Sequence, residues 1–529
     1  MRNLLLFATT LALCLSVITA SATTYYVDPV HGDINNVGNR EQPWSTLEQV
    51  FRSRKALAPG DTLFLLNGHH GSPVIRGVNS DYIVISALQG HVPACQKVTF
   101  SAAAKWEFAD VTISPETAAK YVRGTLVTID GNATDINVEN CRCYSVLDNS
   151  PWSRDDWVAK SCTGAQVEGD RNVIRNCSFL NVKHGILVES AAEHNLIDRN
   201  IIENFAADGM RGIGSYNTFQ YNTVKNCYDV DDNHDDGFQS YSYGPDGVGK
   251  TTVRGVVLRG NTIINYDDSR QKFRGTLQGI GCFDGMYEDW IIENNVIITD
   301  HWHGISLYGA HNCKIVNNTV IDQNDMSPGP PWIKITAHKN GTNSTENIIR
   351  NNLTTSLSND ANIGTVDHNM SLSYTSYGTF FVDFSRFDLS LRKGCRAIDR
   401  GTEQDAPTID ILGTSRPQGD GYDIGAYEYV ESSAALNNPA HRPVSFRMDN
   451  HPNPFNPTTT ITYSLPHSEH VVLNVYNVLG CLIQELVNER QRAGDYAITF
   501  DGANLSSGVF LCRLTTDSQS WSKRMLLLK

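Results

Sequence analysis

Charge is scarce in this chain, and what there is leans acidic. Only 19% of residues are Asp, Glu, Lys or Arg, and 57 acidic against 43 basic residues leave a formal net charge of −14. Such a surface does not hold nucleic acid non-specifically. It also repels an acidic polymer unless cations or a bound metal reverse the field at one place. Long apolar runs are missing after the amino-terminal stretch, so no later segment reads as a bilayer span. The 12 cysteines lack metal-clip spacing, and Cys141 and Cys143 stand too close for one. Absent too are a Leu-x-x-Leu-x-Leu frame and a density of helix formers, which argues against a leucine-rich or helical repeat.

What is present begins with Arg2, the apolar run LLLFATTLALCLSVITA and the small-x-small site Ala20-Ser21-Ala22. Residues 1–22 therefore read as a secretory signal. Cys14 leaves with it, which makes the mature cysteine count odd. Cys177, Cys227 and Cys313 fall at what read as equivalent points of a repeat and are expected to be buried small apolar side chains. Disulfides remain open in an oxidising compartment.

The repeat runs VIRNCSF, LIDRNII, FQYNTV, LRGNTI, IENNVI, IVNNTV, IRNNLT, with its Asn at 176, 200, 222, 261, 295, 318 and 352. Between the copies lies x-Gly-apolar: His184-Gly185-Ile186, Asp208-Gly209-Met210, Asp236-Gly237-Phe238, Gln278-Gly279-Ile280 and His303-Gly304-Ile305, with Pro331-Trp332-Ile333 as a copy lacking the glycine. Two short Ile/Val-rich strands per coil in constant order predict an all-β fold, a right-handed parallel β-helix over residues 23–430. Asn at a coil corner is expected to adopt the left-handed conformation and to stack as a ladder.

Residues 431–450 read as a linker. Residues 451–529 alternate strands with Gly, Asn and Ser turns, as a small immunoglobulin-like β-sandwich does.

The side chains facing out of the x-Gly-apolar strands form a column of Leu187, Arg211, Gln239, Gly281, Ser306 and Lys334. Beside it runs a second column of Glu189, Ile213, Tyr241, Phe283, Tyr308 and Thr336. Polar groups interleaved with aromatics suit a sugar chain, with Gln239, Tyr241, Gln278, Trp302 and Tyr308 as its contacts. Asp208, Asp235 and Asp236 lie on neighbouring coils about 4.8 Å apart. Hard oxygen ligands so gathered favour calcium, and they also suit acid and base roles.

Several resemblances follow from these residues. TTYYVDPVHGDINNVGNREQPWSTLEQVF, PGDTLFLLNG and AIDRGTEQDAPTIDILGTSRPQGDGYDIGAYEY resemble the opening and closing segments of secreted bacterial β-helix proteins. Asn453-Pro454-Phe455-Asn456-Pro457, Val475-Tyr476-Asn477, Leu479-Gly480, Ala493-Gly494, Ser507-Gly508 and the tail to Lys529 resemble the type A sorting domain of type IX secretion. That resemblance implies recognition by the type IX machinery and export through the periplasm and outer membrane, followed by release or surface attachment. Ala207-Asp208-Gly209 with Asp235-Asp236-Gly237-Phe238-Gln239 is similar to the calcium site of β-helix pectate lyases, with Gln239 in place of that family's last Asp and Gly281 in place of its lysine base. Arg211, Lys272 or Arg274 are the candidates to replace that base. Asp208, Asp235-Asp236, His303-Gly304-Ile305-Ser306 and Ile333-Lys334 are similar in order to β-helix polygalacturonases, although the Gln278 coil intervenes and Trp332 stands in place of arginine.

Together these imply a secreted enzyme, acting as a monomer, that cleaves an acidic polysaccharide by calcium-assisted β-elimination. The catalytic candidates are Arg211, Lys272, His303 and Lys334; the metal ligands are Asp208, Asp235 and Asp236. Hydrolysis by paired carboxylates, and glycan binding without chemistry, are the rival expectations.

Overall fold

A computed structural model describes residues 22–431 and, towards the C-terminus, 447–453, 455–465, 469–477, 482–491, 494–516 and 520–529. Most of the signal segment, most of the linker, and Pro454, Leu479, Gly480 and Ala493 of the sorting landmarks lie outside the described residues.

The chain winds as a right-handed parallel β-helix. Strands of successive coils pair in parallel register, and each coil contributes three short strands instead of the two expected. The Asn motif straddles a corner: Leu196–Asp198 lies before it on one face and Ile201–Phe205 after it on the next. The x-Gly-apolar motif opens the third face, where Ile186, Met210, Phe238, Ile280, Ile305 and Ile333 stack as one register column. All six are buried, giving a continuous core of the kind that stabilises a solenoid by nearest-neighbour stacking.

The motif glycines sit where two faces meet too closely for a side chain. A Cβ on Gly209 would lie 2.2 Å from Val224 Cγ1, and one on Gly237 2.4 Å from Ile263 Cγ2.

The corner asparagines divide their work between two consecutive positions. Arg199, Tyr221, Asn294, Asn317 and Asn351 take the left-handed conformation, and the residue after each is the ladder Asn. The amide oxygen of Asn222 accepts from the Asn200 backbone N–H at 2.9 Å, that of Asn261 from Asn222 at 3.0 Å, and the chain continues through Asn295, Asn318 and Asn352. Asn176 is left-handed itself, and Cys177 takes the ladder place above Asn200. Cys177, Cys227 and Cys313 are buried free thiols, as expected, but they occupy different points of the coil. Cys177 stands on the Asn200 ladder, Cys227 ends a strand, and the Cys313 N–H bonds Asn347 on another corner.

The C-terminal module pairs a three-stranded with a four-stranded antiparallel sheet around Phe455, Ile461, Leu473, Val475, Phe500 and Leu514. Its Asn453 landmark has a physical reason. The Asn453 amide donates to Arg524 O at 2.9 Å and accepts from the Leu526 N–H at 2.9 Å, which secures the final strand while Phe455 fills the core.

Candidate functional site

The outward column is assembled as the spacing predicts. Leu187, Arg211, Gln239, Gly281, Ser306 and Lys334 are register partners from coil to coil. The second column slips once, where a bulge after Ser240 sets Tyr241 opposite Asp284 instead of Phe283.

Asp208, Asp236 and Gln278 pair in register at the strand entrances. Asp236 is fully buried, with Gln239 Nε2 donating to its Oδ2 at 3.0 Å and His234 Nδ1 at 3.9 Å. Burial, reinforced by the nearby Asp208, pushes its carboxyl up to about 7 despite those two partners. Asp208 Oδ2 faces His184 at 3.4 Å and Arg211 at 3.8 Å. One oxygen each on Asp208, Asp236 and Gln278 is buried without a hydrogen-bond partner. Two of these flank Gly281: a Cβ there would lie 2.3 Å from Asp236 Oδ1 and 3.3 Å from Gln278 Oε1. Gly281 is itself buried, and its lack of a side chain lets the Asp236 carboxyl and the Gln278 amide pack directly against it.

Asp235 does not join this group. Neighbouring residues in extended chain point to opposite faces, and the Asp235 carboxyl meets the buried Cys227 thiol. Burial, then Asp229 and the two neighbouring Asp, push it up to about 8. Among the described residues no three His, Cys, Asp or Glu groups are placed to hold one metal ion. The expected three-carboxylate calcium set is therefore not assembled.

Two coils on from Asp236 lies an aromatic cluster. His303 Nδ1 is 2.9 Å from Ser306 Oγ, which also accepts from Trp332 Nε1 at 3.0 Å. Phe283 meets the His303 ring edge-on at 4.7 Å and also packs against Gly281, where a Cβ would lie 2.9 Å from Phe283 Cε2. His301 stacks on His303 at 5.2 Å. Burial, then His301 and Lys334, draw the His303 imidazole down to about 4 and so keep it neutral at ordinary pH. Lys334 Nζ rests 5.0 Å over the Trp332 ring and 5.9 Å over Tyr308.

Two expected bases are engaged elsewhere. Arg211 is bound to Glu189 at 3.2 Å as well as to Asp208, and it lies over Tyr241. Lys272 Nζ donates to Ser150 O at 2.6 Å, which ties it to the segment ahead of helix Arg154–Lys160 and away from the carboxylates.

That helix is a feature the sequence reading missed, although Ser153 and Asp156 form a capping box at its start. It sits in the long junction between strands Arg142–Tyr144 and Thr163–Val167. Trp157 packs on Tyr228 at 4.6 Å and on Trp152 at 5.1 Å, forming a satellite core with Ala206, Val230 and Phe273. This core anchors the 228–235 loop that delivers His234 and the carboxylates. His234 was also missed. Its side chain is 67% exposed, and the Asp236 carboxylate 3.9 Å away raises its affinity for a proton.

Residues 163–354 match the family model of the right handed beta helix region, and residues 450–528 match that of the secretion system C-terminal sorting domain. The protein is thus a right-handed parallel β-helix protein with a type IX sorting tail, exported to the cell surface or released. No helix among the described residues is long and apolar enough to cross a membrane. A lacto-N-biosidase of Bifidobacterium longum subsp. longum is 38% identical over 85 residues, 16% of this chain and 5% of that protein. This chain therefore spans about a twentieth of the length of the curated relative it matches. The solved lacto-N-biosidase from Eubacterium ramulus aligns with a TM-score of 0.36 and 13% identity over 64% of this chain and 68% of that one. An alginate lyase from Paenibacillus sp. str. FPU-7 aligns at 0.27 and 12% over 57% and 94%. None of these likenesses identifies the reaction.

Proposed function

We propose that this exported β-helix protein is an enzyme that cleaves an acidic polysaccharide by β-elimination. The observation that supports the reading is the buried Asp236 carboxyl, lifted to about 7 and packed against Gly281, with the neutral, oriented His303 beyond Phe283 on the same face. The two residues stand two coils apart, about 10 Å along the stack. A direct proton relay does not cross that gap, so elimination requires one sugar placed between the two side chains.

With His303 Nδ1–H donating to Ser306 Oγ, the Nε2 lone pair is the base. It takes the proton on the sugar carbon next to the carboxylate. The electron pair becomes the new carbon–carbon double bond, and the glycosidic oxygen on the adjacent carbon leaves with the proton held by Asp236. An anionic substrate beside His303 raises its basicity towards that of an ordinary imidazole.

Hydrolysis is favoured by one observation: protonated Asp236 and Arg211-paired Asp208 stand on adjacent coils, the acid and base such a reaction requires.

The test is incubation with pectate, alginate and other acidic polysaccharides, comparing wild type with Asp236→Asn. Unsaturated, ultraviolet-absorbing ends that fall by about 10²–10⁴ in rate in the variant support elimination. New reducing ends without that absorbance establish hydrolysis instead, and binding without cleavage establishes an adhesion role. Activity abolished by a chelator would restore the metal-assisted route.

A further inference from the structure

The elimination proposed above needs positive charge at the substrate carboxylate, and the acidic chain offers little. Of the two cations in the outward column, Arg211 is already paired with Glu189 and Asp208. Lys334 has no carboxylate within 4 Å among the described residues; its ammonium lies on the faces of Trp332 and Tyr308. Cation–π contact holds it in place without neutralising it, so an arriving anion pays no cost of breaking an ion pair.

Beside it stands an unusual aromatic pair. Trp302 is 46% exposed, a large apolar surface on the open face of a soluble solenoid. Its ring runs nearly parallel to that of Trp332 on the next coil, 6.5 Å away with 15° between the planes. Trp332 is fixed by its indole bond to Ser306 Oγ, by its backbone N–H to Trp302 O at 2.8 Å, and by edge contact with His303 at 5.3 Å. Rigid, half-open indoles present the flat apolar surface on which the C–H face of a pyranose packs, and they lose little entropy in doing so.

We infer that Trp302 and Trp332 form a stacking subsite for a pyranose ring bearing an anionic group, which Lys334 receives. The inference rests on the reading of Asp236 and His303 as a place of glycan chemistry. It deepens that reading by placing the charged ring next to His303. The two indoles supply the ring contact and Lys334 the charge, so selectivity comes from the combination: a neutral sugar gains only the first, and a small anion only the second.

The test is binding, followed by tryptophan fluorescence and calorimetry on the full chain. The probes are oligogalacturonate, oligoalginate, a sulfated carrageenan oligosaccharide and a neutral cello-oligosaccharide, and the proteins are wild type, Trp302→Ala, Lys334→Met and Lys334→Arg. Wild type is expected to bind an anionic probe and quench. Trp302→Ala should weaken every probe about tenfold, and Lys334→Met should weaken the anionic probes to the level of the neutral one. Lys334→Arg should restore the preference. The carboxylated and sulfated arms decide which anion the site takes. Equal binding by wild type, Trp302→Ala and Lys334→Met, or a neutral probe bound as tightly as the anionic ones, overturns the subsite. If the anionic probes bind in this pattern while no polysaccharide is cut, the subsite stands and the enzymatic reading falls. If cutting proceeds with KM unchanged in both variants, the reverse holds.

Discussion

Gly281 stands one coil above Gln239 and packs directly against Asp236: a Cβ at 281 would lie 2.3 Å from Asp236 Oδ1. That close approach requires glycine at 281, a position where the neighbouring coils carry Gln239 and Ser306. Gly281→Ala should push the Asp236 carboxyl aside. The added methyl also meets Phe283 at 2.9 Å, and overpacking of that kind costs about 1–3 kcal/mol. The expected result is a fall of at least about tenfold in kcat/KM with the far-ultraviolet spectrum unchanged. Full activity in this variant would move the reacting point elsewhere.

Asp235 and Asp236 make stability depend on pH in an unusual direction. Burial lifts their carboxyls to about 8 and about 7, from an ordinary value of 3.8. Between those limits the folded protein holds protons that the unfolded chain has lost. The stabilisation is complete below about pH 4 and disappears as pH rises through 7 to 8. Denaturant unfolding should show stability decreasing over that window by on the order of a few kcal/mol. Asp236→Asn, which cannot ionise, should flatten the slope.

The pH dependence of turnover should be shifted the other way from that of a solvent-exposed imidazole. His303 is drawn down to about 4 by burial, His301 and Lys334, so free enzyme keeps its base neutral well into the acid range. The acid limb of kcat/KM is expected near pH 4. The limb of kcat should lie higher, because bound anionic substrate favours the imidazolium. His303→Gln should abolish the limb together with most activity. A limb that survives this change would assign the base to another group.

Trp157 belongs to a satellite core outside the main stack, packed on Tyr228 at the root of the loop that carries His234 and Asp235. Trp157→Ala should speed amide hydrogen exchange in residues 145–162 and 228–235, leave the Asn-laddered coils protected, and reduce kcat; Trp157→Phe should recover most of both. Uniform deprotection along the solenoid would show that this core supports the whole fold.

The coil register was legible because a parallel solenoid repeats its environment at every turn. The Gly corner and the apolar column recur at Ile186, Met210, Phe238, Ile280, Ile305 and Ile333, and one copy aligned correctly fixes the rest. The corner asparagines misled because Asn suits both the left-handed position and the ladder position next to it. Asn294, Asn317 and Asn351 do the first while Asn295, Asn318 and Asn352 do the second. Composition alone does not separate those duties.

By itself the sequence determined the solenoid, its outward column and the export tail, all of which depend on periodicity or on local motifs. Only the tertiary structure decided which members of the acidic run act together. The alternation of extended chain turns Asp235 towards Cys227 while Asp236 packs against Gly281, so three adjacent-looking carboxylates divide. It also decided where the cations go: Lys272 to Ser150, Arg211 to Glu189, and Lys334 onto two aromatic rings. Long side chains from loops of unequal length choose partners by reach and charge across coils, and no repeat in the sequence encodes that choice.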